Sequence, residues 1–252
     1  MAHYYSAEGL MYDTDLRQAR KDKLFASVTT QQKIEASPGL EVWKQNELLK
    51  LTLSHPLLDG EDADNFIRRI KKTHWDLSKD TMELGTRIHD AIHTCLEKNV
   101  GVDCIDDDLV PYVSPAINYC REKEFIIKDL EKPLVNVDEA YAGMADCIAE
   151  TPCGLKFILD WKSKKTKPGE KIKPYPDQME QISAYAVAYW GLDAIQRGEV
   201  YGINAYISTT EIIDGFARFE RCVYEPKDLL DSYEKFQAVC QLWRLRNKYD
   251  PR

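Results

Sequence analysis

Several features of non-globular or membrane proteins are missing from this chain. Its 252 residues contain no apolar run approaching the roughly 20 residues needed to cross a bilayer. Residues 1–17 show no basic region followed by an apolar one, so no secretory signal is expected and a cytoplasmic location is the expectation. The seven cysteines are odd in number and none stands in a Cys-x-x-Cys pair. Neither a disulfide framework nor a zinc site is therefore expected, and the thiols read as reduced, mostly buried small residues. No repeat and no low-complexity segment occurs. Positive charge is in deficit, with 34 Lys and Arg against 42 Asp and Glu, a net charge of -8 and a pI near 5.3. That balance argues against wholesale coating of nucleic acid.

What is present suits a soluble fold with a real core: 44% hydrophobic residues, 30% charged residues and a mean hydropathy of -0.48. Charge is unevenly placed. Acids cluster at 59–64 and 103–108; bases cluster at Arg68, Arg69, Lys71 and Lys72, and again from Lys162 to Lys173. A local basic channel is compatible with the acidic whole.

Periodicity predicts helices over 7–24 and 40–53, with a turn at Ser37-Pro38-Gly39 and a break at His55-Pro56, where proline disfavours helix at the preceding residue. A basic, partly amphipathic helix is expected over 62–75. Ser78 or Asp80 then caps a further helix to about Lys98, and 115–130 also reads as helix. Strands are expected at 134–137, 140–149 and 155–162, a helix at 180–197, strands at 201–208 and 216–224, and a closing helix at 226–247. This order predicts an α+β (α/β/α-like) domain with a mixed central sheet flanked by helices. Its expected parts are a helical elaboration over 1–80, a core over 81–225 and a C-terminal helix over 226–252.

The most informative feature is Asp160-Trp161-Lys162, which closes the apolar run Leu155, Phe157, Ile158, Leu159. Residues i and i+2 of a strand share a face, so Asp160 and Lys162 stand side by side. Fourteen residues earlier, Asp146 follows Ala142 and Met144 on an otherwise apolar strand face. A buried carboxylate is costly unless paired, hydrogen-bonded or on a metal. Asp146 therefore reads either as half of an ion pair with Lys162 or as a ligand. A turn at 151–154 brings Asp146 and Asp160 together, where they could hold one or two magnesium ions, with the Trp161 carbonyl as another oxygen. His89, one helical turn after Gly85, borders the stripe Leu84, Ile88, Ala91, Ile92, Cys95. It reads as a core-flanking histidine or as a further ligand. Gln178, Gln181 and Tyr185 share a helix face, either as an ordinary polar face or as neutral contacts to a phosphate strand.

Gly85-x-x-x-His89, Gly143-x-x-Asp146, Asp160-x-Lys162 and Gln181-x-x-x-Tyr185 occur in order on the expected element types. The set resembles the PD-(D/E)xK nuclease superfamily, RecB-type branch, which includes phage and mitochondrial genome-maintenance exonucleases. Ser27-Val28-Thr29-Thr30 and Pro38-Gly39-Leu40-x-x-Trp43 resemble the N-terminus of phage members. The resemblance implies that His89, Asp146, Asp160 and the Trp161 carbonyl bind Mg2+, with Mn2+ as substitute. It implies that Lys162 orients or deprotonates the attacking water, and that Gln181 and Tyr185 position the strand. Some relatives carry an iron–sulfur cluster held by one cysteine before the core and three after it. Here no cysteine precedes Cys95 and only Cys222 and Cys240 follow the core, so no cluster is expected.

Two segments read as DNA contacts. One is the lysine loop, with Lys164, Lys165 and Lys167 next to Lys162, which alternatively is merely solvated. The other is 66–75, where Arg68, Arg69, Lys72 and Trp75 could track a backbone and stack on an unpaired base, or where the aromatics are core. If the second contacts DNA, the helical N-terminal part covers the site and favours single-stranded DNA. The expected activity is a metal-dependent exonuclease leaving 5′ phosphates, serving recombination, replication or repair beside proteins of those processes, in the host cytoplasm if phage-encoded. The alternatives are a single-strand or structure-selective endonuclease, and a non-catalytic DNA-binding subunit.

Overall fold

The computed structural model describes residues 2–35 and 38–252. Two compact units emerge: Met1–Ile34 together with Ile88–Arg252, and Glu35–Arg87.

In the first unit the chain opens with β1 (Ala2–Tyr5) and β2 (Met11–Thr14), then α1 (Leu16–Asp22), β3 (Phe25–Ala26) and the short α2 (Val28–Gln32). The single helix expected over 7–24 is corrected to a strand followed by a two-turn helix. Strands β2, β1 and β3 form an antiparallel sheet. The helix starts only at Asp15, whose carboxylate accepts from Gln18 N at 2.8 Å and caps it. The expected helical elaboration over 1–80 is thus divided, its first part being sheet and helix within the core unit.

The second unit carries α3 (Pro38–Ser54) and most of α4 (Ala63–Glu97), whose last ten residues belong to the first unit. Helix α3 ends before His55-Pro56 as expected. The turn expected at Ser37 lies outside the described residues, and Pro38 and Gly39 open α3. Neither Ser78 nor Asp80 caps a helix: α4 runs unbroken through both, so the helix expected over 62–75 and the one expected to about Lys98 are one, and the Ser78 hydroxyl donates to His74 O at 2.7 Å. A serine inside a helix satisfies itself on the preceding turn in this way.

After a 3-10 turn (Val102–Cys104) come α5 (Val110–Glu122), β4 (Ile126–Asn136), β5 (Tyr141–Glu150) and β6 (Lys156–Lys164). Then follow α6 (Pro176–Trp190), α7 (Leu192–Gln196), β7 (Val200–Ile213), β8 (Phe216–Tyr224) and α8 (Pro226–Asn247). The helix expected over 115–130 stops at Glu122, and Ile126 already pairs with Glu150 in β4. The helix expected over 180–197 breaks at Gly191, whose φ of 81° lies in the left-handed region that favours glycine.

The central sheet is mixed, in the order β4-β5-β6-β7-β8, with only β6 and β7 parallel. The α+β class follows from this sheet and its flanking helices. Ile158, Ile182, Ile195, Leu229 and Phe236 join β6, α6, α7 and α8 in one buried cluster. A side chain at Gly202 of β7 would run into Ile182, so the bare backbone is what lets α6 lie so close. Among the described residues no helix is long and apolar enough to cross a membrane.

Candidate functional site

The site lies where two strands part. β5 and β6 pair from Glu150↔Lys156 to Cys147↔Leu159, and the ladder ends there. One step further, the same register would set Asp146 opposite Asp160. Instead β5 continues against β4 and β6 continues against β7 to Lys164↔Ser208. The Trp161 amide, which has lost its strand partner, donates to Asp146 Oδ2 at 2.8 Å. A carboxylate thus replaces a carbonyl in the ladder, and backbone satisfaction is kept while the strands fork.

Asp160 is nearly fully buried and well satisfied. Lys162 Nζ stands 2.9 Å from its Oδ1 and 2.7 Å from its Oδ2, and Asn204 Nδ2 donates to Oδ2 at 2.9 Å. Asn204 is itself fully buried and accepts from Tyr224 Oη at 2.7 Å. Charge-assisted bonds of this kind offset much of the cost of burying the carboxylate. Lys162 Nζ also approaches Gln181 Oε1 at 3.4 Å, and Gln181 Nε2 donates to Tyr185 Oη at 3.1 Å. His89, from α4, places Nδ1 3.6 Å from Asp146 Oδ2, beyond hydrogen-bonding distance.

The electrostatics are those of a site short of positive charge. Burial, and then the charge of Asp160, push the Asp146 carboxyl well above the usual range. Burial holds His89 below the ordinary histidine range, which keeps a neutral nitrogen available. Burial opposes the charge on Lys162, but Asp160 and Asp146 outweigh it and raise the ammonium above its usual range.

By chemical type alone, two carboxylates and a neutral imidazole are donors that a hard divalent cation accepts. Among the described residues, however, no three His, Cys, Asp or Glu side chains are grouped so that they could hold a metal ion as they stand. Both Asp160 oxygens are turned to Lys162 and Asn204 instead.

His89, Asp146, Asp160, Trp161, Lys162, Gln181 and Tyr185 therefore meet around the fork. The glycine of the Asp146 motif has a packing reason: a Cβ at Gly143 would lie 2.7 Å from Tyr185 Oη and closer still to its ring. Tyr185 is buried, so its direct contact with a strand is replaced by support of Gln181. Gln178 is also occupied structurally. Its Oε1 accepts from Tyr206 Oη at 2.6 Å and from Tyr175 N at 3.1 Å, capping α6.

The basic candidates divide further. Lys164 turns inward, its Nζ donating to Lys173 O at 3.3 Å and lying 4.6 Å over the Tyr175 ring. Lys165 and Lys167 are exposed. In the second unit, Arg69 is spent on Glu61, with two bonds of 2.8 Å, and on Pro56 O. Arg68, Lys72 and Trp75 are exposed.

Sequence reasoning missed Asn204 and Tyr224. Their only advance signal was a buried-strand asparagine between Ile203 and Ala205.

No family model matches the chain, and no curated protein matches it. Among solved structures it is similar to one titled "Crystal structure of SSO0001", at 14% identity and a TM-score of 0.28. The match covers 51% of this chain and 57% of that one, so the chain spans less than two thirds of that structure's length. A likeness at this level carries no argument about fold or activity.

Proposed function

We propose that this chain is a Mg2+- or Mn2+-dependent deoxyribonuclease. In this reading it acts as an exonuclease on DNA, with single strands preferred, and leaves 5′ phosphates. Its setting is cytoplasmic recombination, replication or repair, alongside proteins of those processes. The observation that carries the reading is the fork: two carboxylates, Asp146 on the Trp161 amide and Asp160 on Lys162, at the point where β5 and β6 separate.

In this reading His89, Asp146, Asp160 and the Trp161 carbonyl hold the cation. When bound, it supplies positive charge to the scissile phosphate and lowers the pKa of water. The rest is the work of the chain's own residues. Asn204 and Tyr224 hold one oxygen of Asp160 in place. Lys162, steadied by Asp160, presents Nζ to orient a water and to donate to a phosphate oxygen as charge develops. Gln181, supported by Tyr185, holds the strand without adding charge.

Labelled single- and double-stranded DNA, incubated with and without Mg2+, tests the proposal. Metal-dependent cleavage that disappears in Asp160→Ala is expected. No cleavage under any condition, or undiminished cleavage by the variant, sinks it. A circular single-stranded substrate separates exonuclease from endonuclease, because an obligate exonuclease leaves it intact. One observation favours a second reading, a non-catalytic DNA-binding subunit: both Asp160 oxygens are already satisfied. DNA binding without hydrolysis would select that reading.

A further inference from the structure

We propose that Arg218 is a positioning residue for nucleic acid. It clamps the loop 165–175 so that Lys165, Lys171 and Lys173 form a fixed phosphate-binding ridge leading to Lys162. The inference rests on the DNA reading above for the polymer bound, and not for its hydrolysis.

The loop leaves the end of β6 and returns to the start of α6, so both its ends lie beside the candidate site. It has no helix or strand of its own, and Pro168, Gly169 and Pro174 interrupt it. A segment of this composition would ordinarily be loosely held. Here it is fastened along its length. Thr166 exchanges two bonds with Thr210, N to Oγ1 at 2.9 Å and O from Oγ1 at 2.8 Å. Its own hydroxyl meets Ser208 Oγ at 2.6 Å and donates to Glu211.

Arg218, on the outermost strand β8, supplies the central fastening. Its guanidinium donates from Nη1 to Lys167 O at 3.2 Å and from Nη2 to Glu170 O at 2.6 Å. The same group binds Glu211 at 2.9 Å and Glu220 through both Nε, at 2.8 Å, and Nη2. The second oxygen of Glu220 accepts from the Ile172 amide at 3.4 Å. A planar fork with five donors can serve two carboxylates and two carbonyls at once, which an ammonium cannot. Its side chain is only 15% exposed and faces two acids, so Arg218 is not itself the phosphate contact.

The clamp sorts the loop's lysines. Lys164, the last residue of β6, is half-buried at the loop's entrance and is bound to Lys173 O, and within the loop Lys167 lies 3.7 Å from Glu170. Lys165, Lys171 and Lys173 are exposed and make no ion pair among the described residues. Cations on a backbone that is already ordered lose less entropy on binding than cations on a free loop. Each phosphate neutralised releases counterions, so the ridge has a measurable signature in salt dependence.

The test measures binding of a fluorescent single-stranded oligonucleotide in EDTA, as a function of salt. The proteins are wild type, the triple Lys165→Ala/Lys171→Ala/Lys173→Ala variant, Arg218→Met, and all four changes combined. The triple variant is expected to flatten the slope of log K against log salt by about 2, the single-strand value for three lost contacts. Arg218→Met is expected to weaken binding in the wild-type background and to add nothing in the triple-lysine background. Arg218→Lys is expected to behave as Arg218→Met, since charge without the fork does not hold the loop. If Arg218→Met does not fold, Glu220→Gln takes its place, removing the carboxylate shared by Arg218 and Ile172. An unchanged slope in the triple variant, or additive losses in the combined variant, overturns the proposal. Lysine-dependent binding without cleavage would leave it standing and sink only the nuclease reading.

Discussion

Two basic segments look alike in the sequence and are treated differently by the structure. Each has an arginine bound to acid beside it: Arg69 binds the single acid Glu61 in the 35–87 unit, and Arg218 of β8 binds both Glu211 and Glu220 beside the lysine loop. On α4, Arg69 closes a local contact within its own helix entry, leaving Arg68 and Lys72 on a solvated helix surface. At the loop, Arg218 reaches backbone about fifty residues away and fixes where other residues' charges stand. In the proposed reading, basic residues serve as a path for nucleic acid only where something orders them relative to the site.

The largest test of this contrast is whether the loop leads to chemistry at all. Lys162→Ala is expected to lower kcat/KM by on the order of 10²–10⁴-fold, the range for a group that moves a proton or meets developing charge. Steady-state cleavage with Asp160→Ala as background checks it. Activity within a factor of two of wild type would leave the loop leading nowhere.

Next in size is the loop's return leg. Gly143→Ala forces Tyr185 aside, and with it Gln181 on α6. Overpacking of this kind is expected to cost about 1–3 kcal/mol in urea unfolding. Cleavage should fall more than stability alone predicts, because Gln181 loses its support. Unchanged stability would mean that the tyrosine has room to move.

Smaller still is the effect of the helix segment. Arg68→Ala with Lys72→Ala is expected to raise the oligonucleotide Kd less than about fivefold, the scale of exposed charges that nothing orders. A loss as great as that of the triple-lysine variant would break the contrast and make α4 an equal partner in binding.

The smallest expected effect concerns the arginine clamps under acid. The hydrogen bond from Arg69 holds the Glu61 carboxyl down to about 2, against 4.5 for a free glutamate. Thr166, and then Arg218, likewise hold Glu211 below its usual range. A carboxyl lowered in the fold stabilises above its unfolded pKa and loses that contribution as pH falls through its folded one. Titration of Glu61 followed by NMR is therefore expected to show a midpoint near 2, well below an ordinary glutamate. Glu61→Gln should make stability slightly less sensitive to acid between 4.5 and 2.

Much of the core sheet was legible beforehand. The strand at 216–224 and the helix at 226–247 match the expected bounds, and the strands carrying Asp146 and Asp160 lie where alternation places them. Local pattern suffices there, because burial of one face dictates period and length. It failed at 7–24, where four-residue strands are stabilised by partners that no local signal announces. It failed at Ser78, where one hydroxyl can cap a helix or sit inside one.

The site divides in the same way. Spacing and strand periodicity bring Asp146, Asp160 and Lys162 to one place. They say nothing of Asn204, 44 residues beyond Asp160, or of Tyr224 behind it. Nor do they distinguish Lys164, half-buried over Tyr175, from Lys165, which is exposed.

The sequence by itself determined which chemical groups are present and, through strand periodicity, that a pair of carboxylates meets a lysine at a strand end. Only the tertiary structure decided that the β5/β6 ladder stops at that pair, so that Asp146 takes over the Trp161 amide. It alone tied the lysine loop to Arg218. The physical reason is the same in both cases. Hydrogen-bond partners of a buried group are settled by what lies across the sheet, and neighbours across a sheet are strangers in the chain.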